Sequence, residues 1–293
     1  MQNIESKTET LEVRGLRYNV RHWGSENAPK VFFLHGWMDC SPTFQFLVNS
    51  LRQPWHVIAP DWRGFGASQW LSHPYWFPDY YADLEVLLRH YSPDEPARIV
   101  GHSMGASIGA TYAAVRPERI SQLVMMDFLG LTPPEDVDAP QQIGHWLDAI
   151  DASNAPRLRT YENNDALARR LRSANPRLRE DRAAWLAANI SRPGANGGIE
   201  LACDPWHKVP SPAVYRVEDA MDAWRKILAP VLMLVADKGF IHDRFDKDPD
   251  EYQRRIGSFA NVRTITVADA GHNVQHDQPE FVAREIEEFL LRG

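Results

Sequence analysis

Five residues, Gly101-His102-Ser103-Met104-Gly105, constrain the fold of this chain more than any others, because of what flanks them. The run Pro96-Ala97-Arg98-Ile99-Val100 ahead of them has the apolar, β-branched character of a buried strand. Behind them, Ala106 to Val115 is small and apolar, the composition of a tightly packed helix. A serine between two glycines at a strand-to-helix turn occupies a strained backbone conformation, and a side chain at either glycine would collide with strand or helix. The pattern predicts a nucleophile elbow, with the Ser103 hydroxyl standing clear at the carboxyl end of the strand. The helix amino terminus beneath it favours developing negative charge.

The rest of the chain supplies the sheet that such an elbow needs. Leu11-Glu12-Val13-Arg14 and Leu16 to Arg21 bracket Gly15 like a hairpin. Val31-Phe32-Phe33-Leu34, His56-Val57-Ile58-Ala59, Leu123 to Met126, Val231 to Val235 and Val262 to Val267 read as further strands, most of them continuous apolar runs of the kind buried on both faces. Tyr80 to His90 and Phe281 to Leu291 have helical periodicity. Together they predict an α/β fold, a mostly parallel, doubly wound sheet with helices on both faces. The stretch 130–228 breaks the alternation: it is rich in Pro, Arg and Ala, helical in tendency and without a convincing strand. It is expected to form a helical cap, with residues 1–129 and 229–293 forming the core. Trp146, Leu147, Ile150, Leu167, Leu171, Trp185 and Leu186 give it apolar stripes that a linker lacks.

A length of 293 residues suffices for a full core, and 44% apolar with 24% charged residues is the balance of a soluble globular protein. A net charge of −7 argues against nucleic acid as a partner, and no apolar run reaches the length of a membrane span. Met1 to Leu11 has no apolar segment of secretory type, so a cytoplasmic location is expected. Cys40 and Cys203 lack metal-ligand spacing and are expected as reduced thiols. A small-molecule substrate is the expected partner, and a homo-oligomer is left open.

Further motifs fall in order along the same elements. His35-Gly36-Trp37-Met38 follows the first buried strand, Asp61-Trp62-Arg63-Gly64-Phe65-Gly66-Ala67-Ser68 follows the next, and Ala270-Gly271-His272 follows the last. With the elbow, these make the chain resemble the α/β-hydrolases over nearly its whole length. The resemblance implies Ser103 as nucleophile and His272 as the base that takes and returns its proton, a role for which an imidazole is suited near neutral pH. His276 is the rival base; His102 is expected to point away from Ser103. The backbone N–H groups of Trp37 and Met104 are implied as the oxyanion hole. Asp61 and Arg63 are expected to brace the loop beneath the site.

The acid departs from the common pattern. Family members usually carry it in a G-x-x-D turn after the strand that ends here at Val235, but this chain reads Ala236-Asp237-Lys238-Gly239. Asp127, at the end of the strand after the nucleophile helix, is preferred, as in haloalkane dehalogenases and some serine-hydrolase-like relatives. Asp237 and Asp243 are the alternatives.

Ten tryptophans is a high count. His35, Phe128, Trp146 and Trp185 are placed around the substrate pocket, with Trp62, Leu129 and Trp206 nearby, a lining suited to an apolar or aromatic group. The resemblance therefore implies a serine hydrolase cleaving a small to medium carboxylic ester through an acyl-enzyme, without metal or organic cofactor. A carbon–carbon bond hydrolase, an acyltransferase and a non-catalytic binding protein of the same fold are the alternatives. Ser103 excludes the relatives whose chemistry needs an aspartate nucleophile.

Overall fold

In the computed structural model, residues 3–132, 137–150, 156–194 and 197–292 are described. Eight strands form one sheet: β1 (Ser6–Val13), β2 (Leu16–Trp23), β3 (Lys30–Leu34), β4 (His56–Pro60), β5 (Ala97–His102), β6 (Ile120–Met126), β9 (Val231–Ala236) and β10 (Val262–Val267). Two more, β7 (Ser191–Pro193) and β8 (Ile199–Leu201), pair with each other outside it. The sheet order is β1-β2-β4-β3-β5-β6-β9-β10. β1, β2 and β4 pair antiparallel, and every pairing from β4 through β10 is parallel. The order reverses at β3, which lies between β4 and β5, so the crevice at the carboxyl ends of β3 and β5 is a switch point of the kind where α/β sheets bind ligands.

The strands read as uninterrupted apolar runs because both faces are covered. Along β3, Phe32 and Leu34 enter one core while Val31 and Phe33 enter the other; along β9, Val231, Met233 and Val235 oppose Leu232, Leu234 and Ala236. Helices α2 (Pro78–Tyr91), α3 (Met104–Val115) and α7 (Val217–Trp224) contribute to the first core. Helices α1 (Gln45–Ser50) and α11 (Pro279–Leu290) contribute to the second, with Leu47 and Val48 meeting Val282, Ala283, Ile286 and Leu290. The short helices α8 (Phe240–Phe245), α9 (Pro249–Ile256) and α10 (Val274–Asp277) complete the carboxyl-terminal part.

Between β6 and β9 the chain leaves the sheet for α4 (Ala139–Ala149), α5 (Asn164–Ala174), α6 (Glu180–Asn189), β7, β8 and α7. Two features differ from the sequence expectation. The insertion does contain strands, the β7–β8 hairpin, whose three-residue strands are too short to show alternation. Its last helix, α7, belongs with the core layer: it lies against α3, and Val217, Met221 and Trp224 enter the first core. The helices α5 and α6 have a separate small core, where Leu178, Ala183, Leu186 and Ile190 gather over Cys40. Both cysteines are buried free thiols. Among the described residues, no helix is long and apolar enough to cross a membrane.

Candidate active site

Ser103 lies between β5 and α3 with φ 51° and ψ −115°, a region that residues with a Cβ rarely adopt. The flanking glycines permit it. A Cβ on Gly101 would lie 2.5 Å from the Ala106 nitrogen, and one on Gly105 would lie 2.1 Å from the Leu34 carbonyl oxygen. The turn is pinned by the Ser103 N–H, which donates to Met126 O at 3.0 Å, and by Ser107 N–H, which donates back to Ser103 O at 3.1 Å.

His272 faces this serine from the loop after β10. Its Nε2 is 3.0 Å from Ser103 Oγ, and its Nδ1 is 2.6 Å from Asp127 Oδ2. Beside a carboxylate Nδ1 must carry the proton, which leaves Nε2 as the acceptor for the serine hydroxyl. Asp127 is fully buried at the end of β6, and its other oxygen, Oδ1, accepts the Ala236 N–H at 3.0 Å. Gly239 adjoins it closely: a Cβ there would lie 2.8 Å from Asp127 Oδ2. The space that a side chain at 239 would fill is occupied by the carboxylate arriving from the neighbouring strand.

The two other acids named from the sequence sit elsewhere. Asp237 Oδ1 accepts the Ala270 N–H at 3.1 Å and so holds the loop that carries His272. Asp243 lies exposed on α8. His102 does turn away from Ser103, and its Nε2 is 2.9 Å from the His272 carbonyl oxygen, to which it donates. His276 is buried against Thr43, with Nε2 2.7 Å from Oγ1. Asp61 accepts the backbone N–H groups of Ser41 and Ala67, and Arg63 forms a two-pronged ion pair with Asp83 at 2.6 Å on each arm. Both brace the loop after β4.

Gly36 brings the turn after β3 against the elbow: a Cβ there would lie 3.2 Å from that of Ser103. Neither the Trp37 N–H nor the Met104 N–H donates to a described backbone group. Met104 opens α3, so its N–H is one of the helix's four unpaired donors, and it points with the helix dipole toward the serine end.

A cavity of about 450 Å³ opens over Ser103. Met104 and Phe128 line it, together with Tyr75, Phe77, Tyr80 and Phe240. Phe240 also packs edge-on against the His272 ring at 4.7 Å. The turn Pro205–Lys208 adds Trp206 and His207, the latter stacked between Phe65 and Tyr75 at centroid distances of 3.9 and 3.7 Å. Three residues expected in this pocket are not on its wall. His35 is fully buried beneath it, where Nε2 accepts the Trp62 N–H at 2.9 Å and Nδ1 donates to Gly36 O at 2.8 Å, so its polar atoms are used in shaping the turn. Trp185 packs against Phe46, 5.3 Å between ring centroids, in the joint between α6 and the core. Trp146 is on α4, a helix that buries none of its residues. Conversely, the segment before α2 and the first turn of that helix supply Tyr75, Phe77 and Tyr80, which no motif places in the pocket. The crowding of aromatics from Trp70 to Tyr81 was the available signal.

Among the described residues, no cluster of three or more His, Cys, Asp or Glu is arranged to hold a metal ion. The buried histidines around the site are held neutral by burial, with His35 and His276 lowered to about 4, His207 to about 3 and His102 well below its ordinary value. In the unfolded chain each returns to about 6.5. Between pH 6.5 and about 4 the unfolded state therefore binds more protons through these groups, and stability falls as pH falls through that window. Asp39, raised to about 6 by burial, acts in the opposite sense and offsets roughly one proton. Urea unfolding is expected to give a clearly lower stability at pH 5 than at pH 7, and His276→Gln should flatten that difference. Equal stability at the two pH values would contradict the neutral assignment.

Residues 29–279 match the family described as alpha/beta hydrolase fold. The chain belongs to that family. It is 29% identical over 279 residues to a serine hydrolase-like protein of Danio rerio, covering 92% of this chain and 83% of the relative. A serine hydrolase-like protein of Dictyostelium discoideum is 25% identical over 288 residues, covering 94% and 79%. Among solved structures, the thioesterase domain from the curacin biosynthetic pathway superposes with a TM-score of 0.83 over 97% of this chain and 99% of that one, at 24% identity, which establishes the shared fold.

Proposed function

We propose that this alpha/beta hydrolase is a serine esterase that cleaves carboxylic esters of apolar or aromatic acids through an acyl-enzyme. The observation that carries this reading is the continuous relay from Ser103 Oγ through His272 to the buried Asp127, at 3.0 and 2.6 Å, at the floor of an aromatic-walled cavity. As Ser103 Oγ attacks the ester carbonyl, its proton passes to His272 Nε2, and Asp127 stabilises the imidazolium. The carbonyl oxygen becomes an oxyanion, which this reading assigns to the Trp37 and Met104 N–H groups. Collapse of the tetrahedral intermediate breaks the bond to the leaving alcohol, which takes the proton from Nε2. Water then repeats the sequence on the acyl-serine, releasing the acid. The apolar wall formed by Phe77, Phe128 and Phe240 favours an acyl chain or ring over a charged one.

The test is labelling with a fluorophosphonate followed by peptide mass spectrometry, together with kcat/KM for p-nitrophenyl esters of acetate, butyrate, hexanoate, benzoate and phenylacetate. One adduct on Ser103, and a rise of about tenfold or more from acetate to the best larger acyl group, is expected from the apolar area such a group buries. Absence of the adduct would remove the reading.

A further inference from the structure

A second cavity, of about 230 Å³, also borders Ser103, and its wall differs from the aromatic one. Ser103 and Trp37 border both cavities, whereas His272 lines only the smaller. Asp39, Asn175 and Asn273 give it a polar side, Leu171, Leu178 and Ile190 an apolar one, and neither lysine nor arginine lines it among the described residues. We propose that the smaller cavity receives the leaving alcohol of the ester, and that Asp39 selects an alcohol bearing a hydrogen-bond donor. This rests on the esterase reading above and extends it from the acyl to the alcohol side.

Which cavity takes which half follows from the proton. The leaving oxygen must receive its proton from His272 Nε2, so the alcohol departs on the side where that ring borders open space, and that side is the smaller cavity. The acyl group is left with the aromatic cavity, which Met104, one of the two oxyanion donors, also lines. The carboxylate on the wall of the smaller cavity is that of Asp39, an acceptor. His102 adds no acceptor to this wall: its Nε2 donates to the His272 carbonyl, and its Nδ1 is closed off against the Gly36 turn. Asp39 Oδ1 accepts the Cys40 N–H at 2.9 Å. A carboxylate has about four acceptor sites, so that one bond leaves capacity unused. A carboxylate on a wall without lysine or arginine rewards an N–H or O–H on the guest and repels another carboxylate. Burial raises the Asp39 carboxyl only to about 6, so it is ionised at pH 7.5.

The test holds the acyl group fixed, using the best one from the p-nitrophenyl series, and varies the alcohol in shape-matched pairs at pH 7.5. Dimethylaminoethyl ester, protonated on nitrogen, is compared with isoamyl ester, and hydroxyethyl with propyl; carboxymethyl ester supplies the anionic case. Comparing kcat/KM within pairs cancels differences in active fraction, so a partly misfolded variant still reports. A preference of about tenfold for the dimethylaminoethyl member is expected, the size of one hydrogen bond to a charged group. A smaller preference is expected for hydroxyethyl, and the carboxymethyl ester should be the poorest. In Asp39→Asn the first ratio should fall to within about twofold and the carboxymethyl ester should improve. If Asp39→Asn does not accumulate, Asp39→Ser reads the same ratios. Ratios near one in the wild type, or ratios unchanged in the variant, would overturn the proposal while leaving the esterase reading intact. Failure to hydrolyse any ester, with no fluorophosphonate adduct, would overturn both.

Discussion

Replacing Asp127 with asparagine is expected to lower kcat about ten-thousand-fold, with the fold and the Ala236 hydrogen bond retained. The magnitude is that seen when a triad acid becomes an amide. The amide can still accept the Ala236 N–H through Oδ1, so the backbone between β6 and β9 has no reason to move. What changes is the atom facing His272 Nδ1: an NH2 group cannot accept a proton, so the imidazole adopts the tautomer with hydrogen on Nε2 and no longer accepts from Ser103. Asp237→Asn acts through the Ala270 N–H on the loop and should cost less than about tenfold. Asp243→Asn, on an exposed helix face, should be near neutral. A relocation experiment sharpens the point. Asp127 has φ 47°, which glycine accepts freely, and Gly239 has φ −95°, which aspartate accepts. A Cβ at 239 would also lie 2.9 Å from that of Ala236, so the relocation needs Ala236→Gly as well. Asp127→Gly with Gly239→Asp and Ala236→Gly should recover at least about tenfold over Asp127→Gly with Ala236→Gly, because the new carboxylate then starts from the space the old one left. Initial rates on the best p-nitrophenyl ester and second-order fluorophosphonate labelling rates measure both. If Asp127→Asn loses less than about tenfold, the relay described here is not the catalytic one.

The difficulty of choosing that acid from sequence has a geometric origin. β6 and β9 are adjacent in the sheet, so their carboxyl ends are about 4.8 Å apart, and a carboxylate from either can reach one imidazole. Sequence shows which strand ends carry an aspartate; adjacency, and the short distance from Gly239 to the Asp127 carboxylate, appear only when the strands are paired. The elbow was legible for the opposite reason, since glycine, serine and glycine act on their immediate neighbours in the chain. The strands of the large sheet were legible because burial on both faces removes polar residues from the run. The pocket was legible only in part. Phe128 and Met104 adjoin site residues in sequence, but Tyr75, Phe77, Tyr80 and His207 are brought there by the loop before α2, by the first turn of α2 and by the turn Pro205–Lys208 in the inserted segment. Trp146 and Trp185 illustrate the converse: a large aromatic ring in an inserted helix has several apolar surfaces to choose from, and Trp185 chose Phe46.

Ser103→Gly should abolish turnover, by about a million-fold in kcat, and make the protein more stable than Ser103→Ala. Both substitutions remove the nucleophile, and loss of a triad serine alone costs about that much. They differ in the backbone they require. With φ 51° and ψ −115°, position 103 is in a region that costs a residue with a Cβ about 1–3 kcal/mol. Alanine keeps that cost; glycine removes it, at about 0.5–1 kcal/mol of extra chain entropy lost on folding. A net gain of about 1 kcal/mol for glycine over alanine follows, or roughly 2 °C in Tm for a chain of this size. The strain cannot relax by moving the turn, because Gly101 is closed in by the Ala106 backbone and Gly105 by the Leu34 carbonyl. The serine is thus held in place by contacts made on either side of it, and the hydroxyl owes its exposure to a conformation the residue itself disfavours. Thermal unfolding of the two variants side by side reads the difference directly. Equal melting temperatures would mean that the elbow stores no strain and that its glycines serve close packing alone.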